Sequence, residues 1–172
     1  MAFNFKIIYK DPNSQARTGV IETQNGKIET PYLIPVATRA FIIGLTRKDI
    51  KELKIQALLS NTYHLHLKPS DKVIAKKGGL HKFMNFKGII YTDSGGFQPF
   101  SLGDAKKLGL SKLSVNLERK KHLEKSSENS SLVKITDKGV YFNSIYDNSK
   151  HYIDAKKSME IQSNLGSDAI MA

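Results

Sequence analysis

The hydrophobic rhythm of this chain changes at Pro31. Before it, residues 3–9 and 19–23 read as strands. Asp11-Pro12-Asn13-Ser14 forms a turn cluster, and Gln24-Asn25-Gly26 signals a hairpin into residues 27–30. Residues 1–30 therefore predict a small antiparallel β unit. After Pro31 the apolar residues come in short continuous runs, at 32–37, 55–60 and 87–92, as buried parallel strands require. Helical segments fall between them. Thr46 is placed to cap a helix through residue 54, with Asp49 completing a capping box. Ser70 is placed to cap a second helix that Gly78-Gly79 should end. A later helix should start near Asp154, run to Leu165 and stop at Gly166, with residues 168–172 as a fourth strand. Alternating short strands and helices predict an α/β fold of parallel βα units, which suits both a doubly wound sheet and a (β/α)8 barrel.

One stretch breaks the alternation. Residues 104–133 are rich in Lys, Glu, Ser and Asn, and read as an exposed insertion in the βα portion spanning residues 31–172. A hairpin is expected just after it, residues 134–135 and 140–142 joined by Asp137-Lys138-Gly139.

Composition adds constraints. There are 27 Lys and Arg against 16 Asp and Glu, a formal net charge of +11. Such a balance favours a polyanionic partner such as nucleic acid, and lysine over arginine suits phosphate contact better than base readout. There is no cysteine, so disulfides and thiolate metal sites are excluded within these residues. No run approaches the ~20 apolar residues that span a bilayer, so no membrane partner is expected. The start has no secretory pattern, and the expected location is the cytoplasm.

The candidate chemistry stands just past the predicted strands, whose carboxyl ends carry the sites of α/β folds. After residues 87–92 comes Asp93-Ser94-Gly95-Gly96-Phe97-Gln98. The carboxylate emerges at the strand end, the glycine pair lets a planar ligand approach the backbone, and Phe97 offers a face for stacking. Together they suit a purine-like heterocycle. After residues 55–59 comes Ser60-Asn61-Thr62-Tyr63-His64-Leu65, in which Asn61 and Thr62 can donate to a neighbouring carboxylate. His64 and His66 have no third ligand nearby, so packing is expected of them rather than metal binding. Pro35-Val36-Ala37-Thr38 supplies small apolar surface after the first run.

These motifs resemble the tRNA-guanine transglycosylase family, also called queuine tRNA-ribosyltransferases. The likeness is carried by LLSNTYHLHLKPS, YTDSGGFQ, KITDKGVYFNS and SKHYIDAKKSMEIQSNLGSDAIMA, and by Pro35-Val36 with Gly44-Leu45-Thr46. It covers nearly the whole chain apart from the insertion. The resemblance implies a (β/α)8 TIM barrel, of which this chain is the N-terminal part with about the first four strands, preceded by the antiparallel sheet. It implies exchange of guanine in tRNA for a 7-deazaguanine base, queuine or its precursor, in queuosine-type tRNA modification. Asp93 matches the family's general acid/base. Asp93, Ser94, Gly95, Gly96 and Phe97 match its base-binding segment. Asn61, Thr62 and Gln98 match positions that hydrogen-bond around that aspartate, and Val36 and Leu59 match the ribose pocket. Homodimers are common in the family.

The family's pattern runs on past the position of Ala172. The nucleophilic aspartate and the Cys/His zinc ligands belong to that later part, so no cofactor or metal is expected within this chain and zinc is expected only in the full-length family. A partial barrel leaves strand edges unpaired, and the chain alone is expected to be inactive. The alternative reading is a non-catalytic, tRNA-binding partner subunit of the same family.

Overall fold

The computed structural model describes residues 3–99, 101 and 133–172. The expected insertion, Val133 apart, lies outside them. Contacts divide the chain into two units, Met1–Ser94 with Ser158–Ala172, and Gly95–Lys157.

The first unit opens with the expected antiparallel sheet: β1 (Asn4–Lys10), β2 (Arg17–Thr23) and β3 (Gly26–Thr30), in that order. The expected strand at 32–37 is not formed as one. Only Val36 pairs, in a parallel bridge with Leu59. Ala37 donates its backbone N–H to the Leu59 carbonyl at 2.7 Å, and Leu59 donates to the Pro35 carbonyl at 3.0 Å. Pro31 and Pro35 have no N–H, so this stretch cannot carry a continuous ladder.

Helix α1 (Arg47–Glu52) has the expected capping box between Thr46 and Asp49. It leads into β4 (Ala57–Ser60). Three short helices follow where one was expected: α2 (Thr62–Leu67), α3 (Asp71–Lys76) and α4 (Gly79–Met84). Gly78-Gly79 does end α3, but it also begins α4. Both glycines have positive φ, +88° and +86°, so the chain reverses there and re-enters a helix. Strand β5 (Ile89–Thr92) pairs in parallel with β4, Leu59 opposite Tyr91 and Ser60 opposite Thr92.

The second unit contains β6 (Val133–Thr136), β7 (Gly139–Asn143) and β8 (Lys150–Ile153), an antiparallel sheet in sequence order. The first two are the expected hairpin, and the third was not foreseen. A Cβ on Gly139 would meet the Ile153 carbonyl at 2.6 Å, so only glycine fits that crossing. Helix α5 (Ala155–Leu165) starts beside Asp154, whose carboxylate accepts from Lys157 N–H at 2.6 Å. It stops at Gly166, φ +66°. Its buried residues, Ser158, Ile161, Gln162 and Leu165, recur at helical spacing and define one face. In the first unit again, β9 (Ala169–Ile170) pairs in parallel with β5, Tyr91 opposite Ala169.

Alternation along the strands sorts the parallel sheet into two faces. On one face Ala57, Ile89 and Tyr91 form a buried cluster with Ile28 of the antiparallel sheet; Ile21, Leu59 and Ala169 pack against it. This cluster joins the two sheets of the first unit. The described strands form open sheets, and no closed barrel is made by them.

Candidate active site at the carboxyl end of β5

Strand β5 is buried at all four positions, so its direction is fixed by the core and Asp93 is delivered one residue past its end. The half-buried Asp93 carboxylate is gripped from the neighbouring strand end. Asn61 Nδ2 donates to Oδ2 at 2.5 Å and Thr62 N–H donates to Oδ1 at 2.8 Å. The Thr62 hydroxyl donates to the Asp93 backbone carbonyl at 2.5 Å. Asn61 is 8% exposed and Thr62 fully buried, so water does not compete strongly for these donors.

Asn61 can do this because it is also the N-cap of α2. Its side-chain oxygen accepts from His64 N–H at 3.1 Å, which orients the amide and turns the nitrogen toward Asp93. The strand-to-helix turn therefore builds the hold out of ordinary capping geometry. The sequence placed both donors correctly but did not disclose the helix that orients them. Six residues are too few to display an amphipathic period.

Helix α5 supplies a support that sequence reasoning did not identify. Gln162 is fully buried; its Oε1 accepts from the Thr92 hydroxyl at 3.0 Å and from Met171 N–H at 3.1 Å, while its Nε2 donates to the Met171 carbonyl at 2.8 Å. One turn earlier, the Ser158 hydroxyl donates to the Ser94 carbonyl at 2.6 Å. The residues on both sides of Asp93 are thus fixed to one helix. The available signal was the pair of polar residues, four apart, on the helix face that also carries Ile161 and Leu165.

Leu59 packs its side chain against the buried cluster, whereas Val36, paired with it, is 54% exposed. Gly95, Gly96, Phe97 and Gln98 fall in the second unit. Gly95 has φ +74°, which a side chain would strain, and Phe97 is 68% exposed. His64 and His66 lie on α2, not on a strand, so the two-residue spacing separates them. Burial depresses the pKa of His64, the nearby Arg39 cation adds to this, and Asp93 pulls weakly the other way. The imidazole is therefore neutral near pH 7. His66 Nδ1 lies 2.8 Å from buried Asp71, which also accepts from Asn164 at 2.6 Å. That contact ties α2 and α3 to α5. Among the described residues no three His, Cys, Asp or Glu side chains gather where a metal could sit.

A second aspartate stands at the other end of β5. The Asp168 side chain is 1% exposed. It accepts from Ile90 N–H at 2.8 Å and from Asn25 Nδ2 at 2.7 Å, and His81 Nε2 lies 3.0 Å away. Burial opposes charge on both side chains. On Asp168 the hydrogen bonds from His81, Ile90 and Asn25 together with the His81 charge outweigh it and the pKa is lowered; on His81 the Asp168 hydrogen bond and charge, with the backbone contacts to Gly88 and Gly166, outweigh it and the pKa is raised.

Parallel strands joined by helices, with a held carboxylate just past a strand end, define a βα-type scaffold, a class whose functional sites stand at the carboxyl ends of the strands. The particular family emerges from sequence comparison. The profile of the family described as queuine tRNA-ribosyltransferase matches residues 11–128 and 122–172. A relative from Archaeoglobus fulgidus is 46% identical across 100% of this chain and 43% of its own length. Queuine tRNA-ribosyltransferases of Caldanaerobacter subterraneus and Fusobacterium nucleatum are each 44% identical, covering 99% and 96% of this chain and 38% of their own. The chain belongs to the queuine tRNA-ribosyltransferase family, and it spans about two fifths of the length of the curated relatives it matches.

Proposed function

We propose that this chain carries the acid/base carboxylate of an enzyme that exchanges guanine in tRNA for a 7-deazaguanine base. The observation that supports this is the hold on Asp93: two donors, from Asn61 and Thr62, fix both carboxylate oxygens at the carboxyl end of β5.

The reaction breaks the N-glycosidic bond between ribose C1′ and guanine while a carboxylate oxygen bonds to C1′. The departing guanine takes up a proton. In the second half the incoming base gives up a proton as its ring nitrogen bonds to C1′ and the carboxylate leaves. Asp93 gives the first proton and takes the second, so it ends the cycle as it began. Phe97 stacks on the base, Gly95 and Gly96 let it approach the backbone with Ser94 beside them, and Gln98 stands with the base-edge groups. Val36 and Leu59 flank the ribose. The base leaves its stack to enter such a site. The nucleophilic carboxylate and the zinc ligands are assigned to no residue of this chain, and no step is routed through zinc. The net charge of +11 suits a tRNA partner, and the reaction is placed in the cytoplasm. The held Asp93 favours this catalytic reading over that of a tRNA-binding partner subunit.

Incorporation of radiolabelled guanine into tRNA tests the proposal. The chain alone is expected to show no turnover. Joined to the remaining segment of the Caldanaerobacter subterraneus relative, it is expected to show exchange that Asp93→Asn reduces ~10²–10⁴-fold. Unchanged exchange in that variant would overturn the role given to Asp93.

A further inference from the structure

The antiparallel sheet of the second unit sorts its residues between two faces, because successive residues of a strand point to opposite sides. On one side Phe142 and Ile153 are buried, 3% and 4% exposed. On the other, Lys134, Tyr141 and Tyr152 stand in one row across β6, β7 and β8, with Asn143 and Lys150 in the next row. Tyr141, on the central strand, is 50% exposed. Its ring lies 4.5 Å from that of Tyr152, tilted by 38°. The Tyr152 hydroxyl donates to the Lys138 carbonyl at 3.1 Å, which steadies the second ring and brings the β6–β7 turn beside it. Lys134, Lys138 and Lys150 are exposed and make no ion pair among the described residues. Carboxylates around the sheet are engaged elsewhere. Asp147 accepts from the Ser149 N–H at 3.2 Å and from its hydroxyl at 2.7 Å, and Asp154 accepts from Lys157 N–H at 2.6 Å. Asp137 shares its turn with Lys138. Nothing in the proposed exchange chemistry uses this face.

We infer that this face binds unpaired RNA, with a base stacked on Tyr141 and the backbone phosphates against Lys134 and Lys150. Flat rings in series beside cations are what single strands use: a ring accepts any base, and the cations take the phosphates. A base laid on the exposed side of Tyr141 extends a stack that Tyr152 has already begun. A cross-strand tyrosine pair also stabilises a sheet. That role calls neither for a ring half in water nor for unpaired lysines at its flanks. A protein partner would find little aliphatic surface here, because Val133, Ile135, Val140, Phe142 and Ile153 all fall on the opposite side. A duplex offers phosphates but no free base plane, so the tyrosines select the single strand. The inference rests on the tRNA reading above only for which RNA supplies it, an unpaired loop of tRNA.

The chain contains no tryptophan, so Tyr141→Trp places a single fluorophore at the stacking position. Its emission is expected to fall when single-stranded RNA of about eight nucleotides is added, and to fall far less with a duplex of the same sequence. Fluorescence anisotropy with the labelled single strand then compares variants of the 172-residue chain. Tyr141→Leu should weaken binding about tenfold and leave its salt dependence as in the parent, whereas Tyr141→Phe, which keeps the ring, should bind as the parent does. Lys134→Glu with Lys150→Glu should weaken binding about tenfold at low salt and flatten the salt dependence. Melting curves by circular dichroism report whether the variants keep the parent fold. Equal quenching by single strand and duplex, or parent-like binding by Tyr141→Leu, overturns the inference, because attraction to phosphate alone would then explain any binding. Light scattering that shows a dimer dissolved by Tyr141→Leu assigns the face to a second copy and overturns it too. None of these readouts needs turnover. Absent quenching with exchange still dependent on Asp93 overturns this inference alone, and unchanged exchange in Asp93→Asn overturns the catalytic reading alone.

Discussion

Strand β5 separates two aspartates that the protein treats in opposite ways. Asp168, at its amino end, is sealed from water and accepts from Asn25 and Ile90, with the imidazole of His81 as a third neighbour. Asp93, past its carboxyl end, is half-buried and takes neutral donors, the Asn61 amide and a backbone N–H. A titratable partner inside a closed site fixes a charge and ties segments together. Neutral donors at an open mouth fix the carboxylate's position without closing it off from a ligand. Burial and the kind of partner, rather than the residue type, therefore separate the structural carboxylate from the one proposed to carry the chemistry.

The largest effect that can break this comparison is on rate. In the completed enzyme Asp93→Asn should cut guanine exchange ~10²–10⁴-fold, while its urea midpoint falls far less, since only one of two donors loses its acceptor. Asp168→Ala should do the reverse within the chain itself. It leaves the His81 imidazole buried without its counter-ion, and loss of one partner of a buried pair costs about 3–5 kcal/mol. Urea unfolding followed by circular dichroism measures this. A midpoint that stays put would mean that Asp168 does not hold β3, β5 and β9 together.

The two sites also differ in how far the sequence revealed them. The carboxylate at 93 was readable because a four-residue apolar run points at it and a glycine pair comes soon after. Its donors were readable because they stand at the same place after the neighbouring run. The Asp168 cluster was not, since Asn25 and His81 lie 143 and 87 residues away from it along the chain. No local pattern encodes such a pairing. Local rules also misled where they had two outcomes. Gly78-Gly79 was read as a stop, which it is for α3, but positive φ at both residues also makes it the corner into a second helix that the reading missed. The run at 32–37 was read as a strand from its apolar content, but it forms only one bridge, and Pro35 within it has no N–H for a ladder. The capping box at Thr46 and the stop at Gly166 were legible because each depends only on residues within one turn.

A smaller effect sharpens the picture of how Asp93 is held. Asn61 serves α2 with its oxygen and Asp93 with its nitrogen. Asn61→Asp keeps an acceptor for the cap but sets a second carboxylate against the first. Asn61→Ser keeps the cap and merely deletes the donor. Both should leave helix stability within about 1 kcal/mol of the parent, since Asp and Ser cap nearly as well as Asn. Exchange in the completed enzyme should fall further for Asp than for Ser, and its pH profile should move only for Asp. Equal losses with no shift in profile would mean that Asn61 acts through the cap alone.

The smallest effect concerns pH and belongs to the sealed end. His81 has its pKa raised in the folded chain, so its protonated form is favoured by folding. That contribution is complete below the ordinary histidine value of 6.5 and is lost as pH rises through the higher folded value. Asp168 is lowered, so its contribution is present above the ordinary carboxylate value of 3.8 and is lost only as pH falls through the lower folded value. Between neutrality and mild alkali the carboxylate is constant and the imidazole alone changes. Above about pH 7, where His64 is already neutral in both states, the melting temperature of the chain should therefore decline modestly to about pH 9. His81→Gln can still donate to Asp168 but cannot titrate. It should lower the melting temperature at pH 6 and flatten the slope above it. A slope that persists in this variant would place the titrating group elsewhere in the chain.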